Sequence, residues 1–547
     1  MLLHWTRFPR QDEWEGFGLR EVLLKSRQRV LWTIVLMGLS QCISFPQLAP
    51  GQPDETLKRA QELVQQGDIP QARSLLKSAQ GILTREPGYY NLLGVIEARD
   101  GNYLAAESDF RQAIKLAPDF AGAYLNLGHL YQDRAAEDPL ASQKALETYQ
   151  RLLEFEPSNV EANYQAAVLL ERKGSFKNSL AHLARLPSEA QERAQALALR
   201  LANLAGLGEQ SQAEDAANRL LASADLTEAD VTSVLPRLKT SSDDELRLRL
   251  LEGLAARNLA TSGSLQQLAR LYKQQNRWAE ARSTLEKVAQ TKANLVPVLL
   301  DLAFAAHELG DRKGALGYLA HARDLEPENA AVHFFFGMVC VEENLAQEAY
   351  ESLKKALSLN PDNPFYNYAF GAVTLQRKDP REAIPAFQKY CELKPQDPRG
   401  RFSLGVTYFF SRDYDMAKEQ FQAVTSFKET AAGAHYYLGR MANQEGDAAL
   451  AGRELKSALE ANPKYPDAHA ELGALYMKQR EYALAEKFFR QALDLDSDNY
   501  HANFNLMVMY QRTKDERAGA QTQRFEEVKK RRSERQLEML RTIELRP

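Results

Sequence analysis

Side chains able to do chemistry are sparse in this chain, and their spacing fits few reactions. His307 and Glu308 begin a zinc-peptidase signature, but Leu309 and Gly310 follow and no second ligand completes it. Asp494, Asp496 and Asp498 are spaced like the first ligands of a calcium loop. Asn499 holds the glycine slot and Asn505 the slot of the bidentate glutamate, so the segment reads as a polar cap between helices. His435 and His469 stand 34 residues apart. Two imidazoles without further ligands cannot complete a metal sphere, and packing is the expected role. Cys340 and Cys391 read as small buried hydrophobes, with nothing to pair them in a disulfide. A glycine-rich phosphate loop, a Gly-x-Ser-x-Gly elbow and a Cys-x-x-Cys pair are absent. The chain is therefore expected to be no enzyme, with no catalytic residue, no metal and no cofactor. The run Lys529-Lys530-Arg531-Arg532 falls in a final polar helix, either as a solvated cap or as a contact for anionic lipid or nucleic acid.

The elements that must position any binding residue are copies of one unit. Ala269, Ala303, Gly337, Gly371, Gly405, Gly439, Gly473 and Met507 follow one another at steps of 34 without an insertion. Twelve residues after the first seven of these stand Ala281, Ala315, Ala349, Ala383, Ala417, Ala451 and Ala485. Sixteen residues after them stand Leu285, Leu319, Leu353, Phe387, Phe421, Leu455 and Phe489. Proline recurs 24 residues on at Pro327, Pro361, Pro395 and Pro463, and lapses at Glu429 and Ser497. Earlier, Gly94, Ala106, Phe110, Ala113 and Pro118 make one such unit. Gly128 opens the next, with Ala145, Tyr149 and Pro157 displaced by an insertion in the loop Asp133–Ser142. Ala60, Gly67, Ala72 and Ala79 form a weaker first unit. Leu201, Gly208 and Ala213 mark a degenerate one, and Leu220–Asp244 fits none.

Each slot has a physical reason. Leu404, Gly405 and Tyr408 share one helical face, and the small residue lets a second helix come close. Ala417 returns that contact, and Phe421 fills the space one turn on. Ser411-Arg412-Asp413-Tyr414 reverses the chain, and proline ends the second helix because it cannot continue the hydrogen-bond ladder. A helix pair of this kind cannot bury its face alone, so the units stack.

This pattern resembles the tetratricopeptide repeat (TPR) family over about residues 54–186 and 263–511. The family's tryptophan slot is taken by Tyr90, Tyr124, His333, His435 and His469. The resemblance implies an all-α fold, a right-handed α-solenoid of stacked antiparallel helix pairs whose first helices line an inner groove. It also implies a protein that binds peptides or partner proteins and carries no catalysis of its own. The Lys–Asn clamp by which some TPR proteins grip an acidic C-terminus is not assembled, since Asn91, Asn126 and Asn505 are scattered.

The groove slots fall three before, and one, four and five after, each ladder residue. They are apolar through the middle of the array: Leu300 and Phe304, then Phe334, Met338 and Val341, then Tyr368, Ala372 and Leu375, then Phe402, Val406, Phe409 and Phe410. The next unit turns polar, with Tyr436, Arg440, Asn443 and Gln444. The expected partner-binding groove is Phe304, Phe334, Met338, Val341, Tyr368, Leu375, Phe402, Val406, Phe409, Phe410 and Tyr436, receiving an apolar or amphipathic segment. Tight superhelical packing, or contact with the chain's own N-terminal segment, would produce the same pattern.

The N-terminus differs from the rest. Arg20, Lys25, Arg27 and Arg29 precede the apolar run 30–45, and no Lys or Arg then occurs until Lys58. A cationic flank, a short apolar run and a proline-containing exit form the pattern of a signal peptide or membrane anchor. Asp12, Glu13, Glu15 and Glu21 are foreign to a signal, and a start near Val22–Leu24 would remove them. The expected organisation is a basic-flanked segment (1–29), signal or anchor (30–45), linker (46–53), N-terminal repeat array (54–186), degenerate helical repeats (187–262), regular array (263–511) and a capping helix with basic tail (512–547).

The whole chain of 547 residues carries 69 basic and 73 acidic side chains, a net charge of −4, which excludes a globally basic nucleic-acid binder. Three cysteines exclude a disulfide framework. The expected function is a non-catalytic scaffold for protein–protein interactions in the cell envelope, with the repeats exported or anchored on the outer, periplasmic side. The alternatives are a substrate-presenting or accessory subunit of an envelope polysaccharide, glycosyl-transfer or secretion assembly, and a cytoplasmic location. Protein or peptide partners are expected, with possible membrane association through the N-terminal segment and no nucleic acid.

Overall fold

The computed structural model describes residues 52–240, 243–291, 295–377 and 379–544. The apolar run 30–45, its basic flank and most of the linker lie outside the described residues. Among the described residues every regular element is helical, and none of these helices is long and apolar enough to cross a membrane. Two compact units are present, one ending at Asn276 and the other beginning at Arg277.

The N-terminal unit opens with α1 (Gln52–Gln65), α2 (Ile69–Ser78) and a single turn α3 (Gln80–Leu83). Three antiparallel pairs follow: α4 (Pro87–Arg99) with α5 (Tyr103–Leu116), α6 (Ala121–Asp133) with α7 (Ala141–Phe155), and α8 (Val160–Arg172) with α9 (Phe176–Leu183). The insertion expected in Asp133–Ser142 is the widened turn between α6 and α7. Asp138 ties it down by accepting from Leu140 N at 2.9 Å and from Lys144 Nζ at 2.9 Å. After the short α10 (Ser188–Gln191), α11 (Ala194–Leu207) pairs with α12 (Gln210–Ala222) across Gly208, which has φ +73°. That is the pair foreshadowed by Leu201, Gly208 and Ala213. The segment that fitted no frame folds as a short α13 (Glu228–Val234) and a 3-10 turn, Leu235–Arg237, before α14 (Asp244–Ala256) and α15 (Ser262–Gln274).

The C-terminal unit is regular. Its helices are α16 (Trp278–Ala289), α17 (Leu295–Glu308), α18 (Arg312–Leu325), α19 (Ala330–Glu342), α20 (Ala346–Leu359) and α21 (Pro364–Gln376). They continue with α22 (Pro380–Leu393), α23 (Pro398–Phe410), α24 (Tyr414–Gln422), α25 (Ala431–Glu445) and α26 (Ala448–Ala461). The unit closes with α27 (Pro466–Lys478), α28 (Tyr482–Leu495), α29 (Tyr500–Thr513) and the long α30 (Ala518–Glu544).

The ladder is the core. Ala281, Ala315, Ala349, Ala383, Ala417, Ala451 and Ala485 are all buried, as are the seven large residues that follow each by four. The large side chain, one turn after the alanine, lies directly against the ladder glycine. A Cβ added to Gly405 would lie 2.8 Å from the Phe421 ring, and one added to Gly473 would lie 2.7 Å from Phe489. Glycine is thus required for contact between the two helices rather than for its φ. The positive φ angles fall instead seven residues later, at Gly310, Asn344, Arg412, Gly446, Arg480 and Lys514, where the first helix turns into the second. Asp311 and Asp447 then cap the second helices by accepting from Gly314 N and Leu450 N, both at 2.9 Å.

The substituted tryptophan slot has its own rule. Tyr124 Oη donates to the carbonyl of Pro118 at 3.0 Å, and His333 Nε2 and His469 Nε2 reach the carbonyls of Pro327 and Pro463 at 2.8 and 2.9 Å. Asn163 and Asn367 donate to Pro157 and Pro361 at 2.9 and 2.7 Å. In each case the slot binds the carbonyl six residues earlier, securing the turn between repeats. A polar side chain is therefore an alternative to the aromatic bulk of tryptophan there.

Candidate partner-binding surface

Every expected groove residue lies in the C-terminal unit, on α17, α19, α21, α23 and α25. Phe334, Met338, Val341, Leu375, Val406, Phe409 and Tyr436 are buried. Phe304, Tyr368 and Phe402 are partly buried, and Phe410 is 60% exposed. The face is therefore not an open apolar trough along its whole length. Its residues pack on neighbouring helices: Phe334 lies 4.8 Å from Tyr366, ring centre to ring centre, Tyr368 5.0 Å from Tyr390, and Phe304 5.5 Å from Trp278. Successive first helices lie close enough for side chains at these slots to meet, and large rings there close the gap.

The surface that remains open gathers around α23 and α25. Phe409 is at the centre of an aromatic cluster, 5.7 Å from Phe410, 5.7 Å from Tyr414 and 5.1 Å from Tyr437. Tyr437 stacks flat on Phe421 at 4.9 Å, tying the cluster to the ladder core. Arg440, one turn after Tyr436 on α25, carries a guanidinium 5.0 Å from the centre of Phe409, 5.6 Å from Tyr436 and 6.0 Å from Tyr437. Glu471 of α27 stands 3.5 Å from its Nε. Burial works against the charge on Arg440, but the neighbouring Tyr436 and Glu471 outweigh it, so the guanidinium sits above its ordinary value and remains charged. The arrangement presents an exposed phenyl ring, a half-open tyrosine at position 414 and a fixed cation. It can receive an apolar side chain and a carbonyl or carboxylate together.

The corresponding face of the N-terminal unit is polar. Asn126 Nδ2 donates to Asn91 Oδ1 at 2.9 Å, and Gln132 Nε2 donates to Gln165 Oε1 at 3.0 Å. Tyr149 Oη donates to Gln132 Oε1 at 2.9 Å, and His129 faces Glu161 at 3.6 Å. The sequence showed Asn91 and Asn126 as scattered. Their slots are offset by one residue, which hid a direct bond between successive helices. Nearby, burial and then the charge of Glu97 push Asp109 up to about 6. Burial also raises Asp133, although His129 opposes it.

The other chemically suggestive residues are absorbed by packing. His307 Nε2 and Arg312 Nε both meet Glu342 Oε2, at 2.9 and 2.8 Å. His469 secures its turn as described, while His435 Nδ1 contacts Glu454 Oε2 at 2.6 Å. Asp498 pairs with Arg524 and Arg531 of α30, at 3.0 and 2.9 Å, and Asn499 caps α29. Arg532 lies 4.6 Å from the centre of the Tyr500 ring. Half of the basic run thus fastens α30 to the last pair, leaving Lys529 and Lys530 exposed. Among the described residues, no three His, Cys, Asp or Glu side chains are grouped to hold a metal ion.

Comparison with known proteins agrees with this architecture. Tetratricopeptide repeat models match residues 57–119, 261–296, 330–363, 402–466 and 466–499. No curated protein sequence matches the chain. Among solved structures, a tetratricopeptide repeat protein from Parabacteroides merdae is 16% identical, with a TM-score of 0.38 over 45% of this chain and 98% of that one. The Cut9–Hcn1 hetero-tetramer of APC/C is 17% identical, with a TM-score of 0.36 over 88% and 94%. Yeast Tom70 is 18% identical, with a TM-score of 0.34 over 84% and 96%.

Proposed function

The chain belongs to the tetratricopeptide repeat family, and from that premise we propose that it is a non-catalytic scaffold of the cell envelope that holds a partner segment on the inner face of its C-terminal unit. Proteins of this family are generally interaction scaffolds that bind proteins or peptides, which supports the coarse reading. The finer one rests on the cluster of Phe409, Phe410, Tyr414 and Arg440. Phe410, 60% exposed and 5.7 Å from the Phe409 ring, with the Arg440 guanidinium 5.0 Å from that same Phe409 ring, carries the proposal. Rings fixed in place offer contact area at low entropic cost, and the cation orients what binds. The partner is a segment with an aromatic or aliphatic anchor and an oxygen acceptor one or two residues away. Tyr368 and Phe402, both partly buried, extend the same face toward α21.

The envelope setting draws support from the sequence alone: a cationic flank, the apolar run 30–45 and a proline-containing exit. Fractionation of cells producing the tagged chain tests that part, with recovery in the soluble cytoplasmic fraction as the contrary result. The binding part is tested by affinity capture with Phe410→Ser. Phe410 is the substitution of choice because Phe402 and Phe409 belong to, or pack on, the core. The variant should retain its helical content and lose on the order of tenfold or more in partner retention, as removal of a central aromatic anchor does. Undiminished retention of the same partner by the variant contradicts the proposed surface.

A further inference from the structure

One junction of the C-terminal unit is built on an unusually short second helix. The second helix α24 has 9 residues, while α18, α20, α22, α26 and α28 have 14 each. Glu429 stands in the slot that holds proline at 327, 361, 395 and 463, and residues 423–430 turn irregularly before α25 begins. His435 holds the slot from which His333, Asn367 and His469 bind the turn carbonyl six residues back, and it contacts Glu454 of α26 instead. Beside this shortened helix, between α24, α25 and α26, lies a cavity of about 200 Å³.

Its lining is chemically sorted. Leu438, Met441, Ala442 and Leu450 supply an apolar wall. Lys418 supplies an ammonium group and Glu445 a carboxylate, and among the described residues neither is engaged in an ion pair. The carboxylate of Glu454 is already bonded to His435 Nδ1. The volume exceeds the roughly 150 Å³ of an apolar cavity that admits benzene and falls below the roughly 300 Å³ of the smallest drug-sized sites. A ligand of about six to ten heavy atoms matches it. A simple carboxylate would satisfy Lys418 but face Glu445, and a simple amine would do the reverse. A molecule carrying both charges and a short apolar chain satisfies each wall.

We propose that this cavity binds a small aliphatic α-amino acid, its carboxylate on Lys418, its ammonium group against Glu445, and its side chain on Leu438, Met441 and Leu450. The site is independent of the partner surface on α23. Calorimetric titration of the full chain with L-leucine, isovalerate and isoamylamine tests it. Leucine should bind, and each single-charge analogue should bind weaker by on the order of tenfold, the loss of one charge-assisted contact. Lys418→Met, which keeps the length of a half-buried side chain and removes its charge, should weaken leucine by a similar factor. Leu450→Phe should abolish binding by filling the cavity. No heat with leucine at about 10 mM, equal binding of all three compounds, or unchanged binding by Lys418→Met overturns the proposal.

Discussion

At the scale of the residue, the ladder is a set of contacts between a glycine and a large side chain sixteen positions later. Gly405→Ala places a methyl 2.8 Å from the Phe421 ring. Overpacking of that kind costs about 1–3 kcal/mol, and the gain in helix propensity offsets roughly 1 kcal/mol of it. A net loss on the order of 1 kcal/mol should appear in denaturant melts. Gly317 is the control, because it sits within α18 and a Cβ there meets nothing within 4 Å. Gly317→Ala should stabilise by about 0.5–1 kcal/mol. The small and large slots were legible from spacing alone, because packing repeats with the sequence. The electrostatics were not. Asp109 is ordinary in sequence, yet burial and Glu97 raise it to about 6. Its folded value therefore lies above its unfolded one, so its protonated form favours the fold. That contribution is complete below about pH 4 and lost as pH rises through 6. Asp109→Asn should leave stability unchanged near pH 4 and raise it at pH 7.5. The expected gain is on the order of 1 kcal/mol, discounted for partial exposure. Thermal melts at the two pH values check the sign.

At the scale of the element, the regular repeat is a first helix, a left-handed turn residue and a second helix, with its turn secured by the tryptophan-slot side chain where that is His333, Asn367 or His469. The left-handed position favours glycine, and Gly310 and Gly446 provide it. Arg412 occupies the same position with φ +63°. A non-glycine residue there costs about 1–2 kcal/mol, so Arg412→Gly should stabilise the unit by roughly 0.5–1 kcal/mol in the same melts. Helix boundaries in the regular array followed from the 34-residue step, since each turn falls at a fixed offset. Helices in 187–262 were readable only in part. Gly208 signalled its turn, but α13 is held by a local capping box of Thr227 and Asp230, and the 3-10 turn after it by Arg237 on Glu171, with no counterpart in the ladder. The shortened α24 also escaped the pattern. Its sequence keeps Ala417 and Phe421, and the missing proline at Glu429 was its one signal.

At the scale of the whole molecule, the two units share one packing plan and differ in the face it leaves available. Amide side chains bond across the N-terminal unit's first helices, whereas rings fill the same slots in the C-terminal unit. The apolar character of those slots was readable in the sequence. How far they are buried was not, because that depends on which ring of the next helix reaches each one. Phe334 and Phe409 find such neighbours, while Phe410 lies five residues after its ladder glycine, at the end of α23, and projects beyond them. The central claim is that a partner segment is held at that point. Site-specific photo-crosslinking in cells tests it most directly, with benzoylphenylalanine at position 410 and, as control, at the still more accessible Leu104, which is 77% exposed. A discrete protein adduct from position 410 and none from position 104 is the expected result. No adduct at 410, or the same adducts from both positions, would contradict it.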